Sequence, residues 1–283
     1  MNAVLLIIII IGTTAQMVTK KMYAGKVSGG TFTFSWASTA CSLLFFLLMT
    51  GGAFAFSPAY LGYAAAFAAA YSLTTVTGVY AVKTGPLSLT ALFTSYSLII
   101  PTLYGLAFLD ETATVFLVMG IILLLVSIVF VNFEKKGEKK ITLRWIVFVF
   151  LSFASNGACS VIQRLQQLSA DGLYKNEFMV VALLISTAAL LLISLLTERR
   201  SMAGALKAGA AAYAVYGLAN GVVNLLVMAL ALRMPASLSF PIISCGGIIA
   251  NTAVSVFAYK EKLSAYQKAG VCMGVVSIIL LNL

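Results

Sequence analysis

The sequence predicts an all-α membrane protein of ten transmembrane helices, built as two inverted five-helix repeats. Three observations lead there. Apolar runs are long enough to cross a bilayer, one stretch returns at a fixed offset, and basic residues gather in alternate loops.

Composition sets the class. Of 283 residues, 61% are hydrophobic and 9% charged. A soluble domain carries about a quarter charged residues, so this chain has too little polar side chain to cover a surface in water. Ten apolar segments run over roughly 3–19, 31–50, 59–82, 86–108, 113–132, 142–163, 176–196, 208–231, 236–258 and 263–282. Each is near the ~20 residues a helix needs to cross hydrocarbon. Helices are expected because backbone groups in lipid must be satisfied within their own segment. The opening MNAVLLIIIIIGTTAQ has no basic leader and reads as the first span, not a cleaved signal.

Charge sets the orientation. Fifteen of the eighteen Lys and Arg residues fall in or beside loops 1–2, 3–4, 5–6, 7–8 and 9–10; Arg164, Lys175 and Arg233 make up the other side. Positive charge holds loops in the cytoplasm. The expected place is therefore a cell membrane, bacterial inner or plasma membrane, with both termini extracytoplasmic. The net charge of +10 is explained this way without nucleic acid. The expected partners are the lipid bilayer and a small-molecule substrate, and a monomer and a homodimer both fit.

The repeat sets the architecture. Residues 81–133 align with 231–283 without a gap, at an offset of 150. Lys83 meets Arg233, Glu111 meets Glu261, Gly120 meets Gly270, and Ser127 meets Ser277. The chain then divides into a first repeat (1–133), a charged cytoplasmic linker EKKGEKK (134–140) and a second repeat (141–283). Five helices is an odd number, so the second repeat is inverted. That is the build of many secondary transporters.

Glu111 and Glu261 stand at the starts of the fifth and tenth helices, at opposite faces of the membrane. A carboxylate there satisfies free N–H groups and meets the positive end of the helix dipole. A second reading is a switchable contact at the rim of a moving half. Lys83 and Arg233, the aligned bases nearest the spans, join the glutamates as a helix-turn or gating set.

Every Asp and Glu lies in a loop or at a helix end, and no Lys, Arg, Asp or Glu is near a span centre. There is no histidine. A metal site, a cofactor and enzyme chemistry are therefore not expected. A mid-membrane carboxylate relay is not expected either.

What the spans carry is neutral polarity, richest in helices 1, 3, 4, 6, 8 and 9. Tyr213, Tyr216, Asn220 and Asn224 follow one helical face. Unpaired amides are costly to bury, so Asn220, Asn224, Asn156 and Gln16 are expected on a wet cavity. Interhelical hydrogen bonding is the alternative. Tyr71, Tyr80, Tyr96 and Trp36 complete the candidate substrate-binding set, although Trp36 could also be an interfacial anchor. Pro101 and Pro241 fall inside spans and should break local helix hydrogen bonding. Gly217–Gly221 and Gly270–Gly274 have the GxxxG packing spacing. The four cysteines lie in apolar or small-residue segments and read as small buried hydrophobes.

Two stretches carry a family resemblance: GPLSLTALFTSYSLIIPTLYGLAFLDE at 85–111 and MPASLSFPIISCGGIIANTAVSVFAYKE at 234–261, each followed by a Gly-containing helix. With the ten-span topology, they resemble the drug/metabolite transporter superfamily in its EamA-like branch. The resemblance implies a cavity lined by helices 1, 3, 4, 6, 8 and 9. It also implies transport of a metabolite, from a family range that covers amino acids, nucleosides, sugar derivatives, quaternary amines and drugs. The expected function is alternating-access transport of a small neutral or zwitterionic, amino-acid-like solute. The alternative is a quaternary amine such as choline held by aromatic rings.

Overall fold

A computed structural model of the chain describes residues 2–27, 30–84, 90, 94, 96–112, 114–132, 142–257 and 264–281. Among them there is no strand. Ten helices follow in order: α1 (Asn2–Lys26), α2 (Thr31–Met49), α3 (Leu61–Thr84), α4 (Ile99–Phe108), α5 (Val115–Asn132), α6 (Leu143–Ser169), α7 (Lys175–Thr197), α8 (Arg199–Ala231), α9 (Ala236–Phe257) and α10 (Ala265–Leu281). The linker and Glu261 lie outside the described residues.

Six helices, α1, α2, α3, α6, α7 and α8, are long and apolar enough to span a membrane; the described apolar parts of the other four are shorter. Large apolar side chains cover the outside. Leu48, Val115 and Leu196 are 76%, 73% and 77% exposed. Water disfavours such a surface, and the arrangement is compatible with a membrane protein.

Several helices outrun the apolar segments that announce them. α1 continues through Lys20 and Lys21 to Lys26, α6 through Arg164 to Ser169, and α8 begins at Arg199. Lys, Arg, Gln and Met are good helix formers, so a helix persists after hydropathy falls. Bases expected in or beside loops, Lys20, Lys21 and Arg164 among them, are thus carried on helices.

The fourth segment is interrupted as Pro101 predicts. Thr90, Thr94 and Tyr96 are helical, a turn follows at 97–98, and α4 starts at Ile99. Proline has no N–H, and its ring crowds the carbonyl four residues back. That carbonyl belongs to Ser97 and accepts instead from the Ile100 N–H at 3.2 Å.

Packing pairs α5 with α10, α3 with α6, α1 with α8, and α2 with both α7 and α8. α9 touches α1, α4 and α10, and α4 also meets α6. At the α5–α10 seam the Ser127 hydroxyl donates to the Gly270 carbonyl at 2.6 Å, and the Ser277 hydroxyl to the Gly120 carbonyl at 2.7 Å.

α2 packs through small hydroxyl residues. Ser35, Ser38 and Thr39 are fully buried and return their hydroxyls to carbonyls one turn back on the same helix. That leaves a smooth surface for Gly217 of α8. A Cβ added at Gly217 would lie 2.4 Å from the Cys41 Cβ and 2.6 Å from the Ser38 carbonyl oxygen. Gly217→Ala must push the two helices apart. We expect a loss of about 1–3 kcal/mol of stability, measured as a lowered melting temperature of the purified protein. An unchanged melt would contradict this packing.

Candidate functional site

A cavity of about 310 Å³ lies inside the bundle. Small-molecule sites occupy about 300–1,000 Å³, so it has room for a small organic solute. Its walls come from α1, α3, Thr90, Thr94, Leu98, α6, α8 and α9; among the described residues, none of α2, α5, α7 or α10 reaches it. Phe67, Val223, Val227, Phe240 and Ile243 supply apolar wall, and Gln16, Asn156, Gln163, Asn220 and Asn224 supply amides.

Four of the amides, Gln16, Gln163, Asn220 and Asn224, form one directed network, anchored on a backbone atom. The Asn224 amide nitrogen donates to the Asn220 backbone carbonyl at 2.8 Å, which fixes how Asn224 is turned. The same nitrogen donates to the Asn220 side-chain oxygen at 3.1 Å. That oxygen also receives the Tyr71 hydroxyl at 3.0 Å and the Ser42 hydroxyl at 3.3 Å. The Asn224 oxygen accepts from the Gln163 amide at 2.7 Å. The Asn220 nitrogen therefore faces the Gln16 oxygen, at 3.5 Å. Across the cavity, Asn156 donates to the Ser97 hydroxyl at 2.6 Å, in the turn that precedes Pro101.

The cavity is not free of fixed charge, contrary to the sequence expectation. Lys20 and Lys21 both line it. The Lys20 ammonium lies 5.5 Å from the centre of the Tyr216 ring. No Asp or Glu is among the lining residues described.

Beyond Val227, Phe240 and Ile243, the cavity gives way to an ionic layer. Ser160 and Arg164 meet those same apolar residues in a small adjoining cleft. Arg164 Nη2 donates to Glu111 at 2.7 Å, in a pair whose side chains are 10% and 7% exposed. Arg164 Nη1 donates to the carbonyls of Ala231 and Met234, at the end of α8. Glu111 accepts the backbone N–H groups of Ala236 and Ser237 at 2.7 and 2.8 Å. It is therefore a helix cap, but of α9. The helix after it, α5, is capped by the Thr114 hydroxyl, which accepts from the Leu117 N–H at 3.0 Å. Both signs match the helix dipoles: the anion meets an N-terminus and the cation a C-terminus.

A second carboxylate does the same elsewhere. Glu198, between α7 and α8, accepts from the Phe32 and Thr33 N–H groups and the Thr33 hydroxyl, at the start of α2. Lys83 donates to the Thr31 hydroxyl at 2.6 Å, at that same helix end. Arg233 is exposed in the turn between α8 and α9. Glu261 lies outside the described residues.

The structure brings Gln16, Tyr71, Asn156, Tyr216, Asn220 and Asn224 to the cavity wall, and four of the rings elsewhere. The Tyr213 hydroxyl donates to the Ala205 carbonyl at 2.5 Å. Tyr80 stacks on Phe148, and Tyr96 donates to the Leu125 carbonyl at 3.1 Å. Trp36, on α2, packs against the cluster of Tyr23, Phe34 and Tyr213. Tyr213 and Tyr216 share a face, yet the former reaches back along its own helix. Lys20 was missed because it lies past the end of the apolar run, although it falls one helical turn after Gln16 and hence on the same face.

No family model matches the chain, and no curated protein does. Among solved structures, one described only as "Crystal structure of protein" is similar to it with a TM-score of 0.78 at 12% identity. The match covers 99% of this chain and 95% of that one. The likeness is one of fold.

The ionic layer yields a double-mutant test. Arg164→Met leaves Glu111 buried without its partner, which costs about 3–5 kcal/mol. Adding Glu111→Gln to it should recover part of that loss, since no uncompensated charge remains. Melting temperatures of the two singles and the double check this. Additive losses would show that the two residues act separately.

Proposed function

We propose that the chain is a membrane-embedded secondary transporter of small amino-acid-like metabolites. It works by alternating access between two inverted five-helix halves, as a member of the drug/metabolite transporter superfamily in the EamA-like branch. The observation that carries this reading is the make-up of the cavity wall. α1, α3 and, from the fourth segment, Thr90, Thr94 and Leu98 come from the first half, and α6, α8 and α9 from the second. Adding five to each helix of the first set gives the second.

The packing supports the same relation. Exchanging helix n with n+5 turns the α3–α6 pair into α8–α1 and α2–α8 into α7–α3, and all of these are packed pairs. α2–α7, α4–α9 and α5–α10 map onto themselves. The reciprocal Ser127–Gly270 and Ser277–Gly120 bonds join residues matched at the 150-residue offset. A rocking motion about such an axis exposes one cavity to each side in turn. Loop charge supports an orientation with the Lys20 end in the cytoplasm and the Glu111–Arg164 layer and both termini outside.

The quaternary-amine alternative is disfavoured by Lys20. Its ammonium already occupies the approach to the Tyr216 ring, and a second cation would meet it without any lining carboxylate to offset the repulsion.

Purified protein in liposomes should accumulate labelled leucine or phenylalanine saturably, and empty liposomes should not. Asn220→Ala removes the oxygen on which three donors converge and should raise the half-saturating concentration about tenfold. Uptake of choline without uptake of any amino acid would overturn the reading.

A further inference from the structure

At the Gln16 end of the cavity the unspent polar capacity is that of donors. The oxygens there are taken: Asn220 accepts three bonds, Asn224 accepts Gln163, and Gln16 accepts Asn220. Donors are left over. Following the network outward from the Asn220 backbone carbonyl fixes the orientation of each amide in turn. It leaves the Gln16 amide nitrogen buried with no hydrogen-bond partner. One turn further along the same face of α1 stands Lys20, whose ammonium has no carboxylate near it among the described residues and lies 5.5 Å from the centre of the Tyr216 ring. A Cβ built on Gly78 would lie 3.8 Å from this ammonium, so the charge sits against α3 inside the bundle rather than reaching past its end.

An unpaired cation and an unpaired amide donor in a confined space are both costly without a ligand. A carboxylate meets both needs: it is acceptor-only, and its two oxygens can each take one donor. We infer that Gln16 and Lys20 form the anion-binding end of the substrate site, and that the substrate carries a free carboxylate with an apolar body. The apolar body faces Phe67, Val223, Val227, Phe240 and Ile243. Lys21 lines the same region and adds to its positive potential.

This inference rests on the transporter reading and narrows it, and the test keeps the two apart. Liposomes containing the full chain are offered labelled leucine, phenylalanine and 3-phenylpropanoate, each beside its uncharged-carboxyl amide. The expected result is uptake of the acids with at least about tenfold lower uptake of the amides, since charged hydrogen bonds are worth about tenfold to a hundredfold. Lys20→Met should weaken apparent affinity for the acids by that same factor and leave the amides unaffected, while Lys20→Arg restores most of it. Lys207→Met, an exposed lysine on α8 away from the cavity, should match the parent chain. The melting temperature of ligand-free Lys20→Met reports that the variant is folded. Equal uptake of acids and amides, or a Lys20→Met variant with parental affinity for the acids, overturns the anion site and leaves transport standing. No uptake of either member of any pair overturns the transporter reading itself.

Discussion

The rest of the bundle is organised around the carboxylate of Glu111. One side chain holds the N-terminus of α9 and the guanidinium of Arg164, and that guanidinium holds the carbonyls of Ala231, the last residue of α8, and of Met234 in the turn beyond it. Both ends of a tight turn, which would otherwise leave backbone groups unsatisfied, are closed by a single ion pair. The closeness has a steric condition. A Cβ on Gly105 would fall 2.5 Å from a Glu111 oxygen, so α4 can carry only glycine where it passes this carboxylate. Burying the pair is costly in itself, and the four backbone partners offset that cost. The same solution recurs where Glu198 closes the start of α2, so three helix ends are finished by side chains distant in sequence.

Above this layer the apolar residues of α8 and α9 separate charge from cavity. Both oxygens of Glu111 and both Nη atoms of Arg164 are engaged by their own neighbours, Nε alone being left over, while the Lys20 ammonium has no such partners. The first is therefore structural cement and the second is chemistry held in reserve. Polar groups that are already satisfied give a ligand little to gain, and those left wanting determine what the cavity can take up.

Much of the fold was legible because a helix that satisfies its own backbone in an apolar surrounding is written as a long apolar segment. Ten such segments were readable, and the described residues form ten α-helices. Their ends were not legible from hydropathy, which reports what surrounds a helix and not where it stops; Lys20 and Arg164 show the difference. Amide-rich helices pointed to the cavity wall, because amides such as Asn220 and Gln163 need partners wherever they are buried. The rings were less informative. Tyr80 and Tyr96 found partners away from the cavity because an aromatic side chain is equally at ease in packed and wet surroundings. The partner of Glu111 was out of reach. Its capped helix begins 125 residues later in the chain, and nothing local announces so remote a contact.

The seam between α5 and α10 is fastened twice by the same chemistry, each serine reaching the glycine carbonyl of the opposite helix. Either fastening can be lost while its twin still fixes the register of the two helices. Redundancy of this kind makes the seam tolerant of mutation on one side alone. The spacing of the two helices is tighter at Gly274, one turn beyond Gly270, where a Cβ would lie 3.0 Å from the Ser127 hydroxyl oxygen.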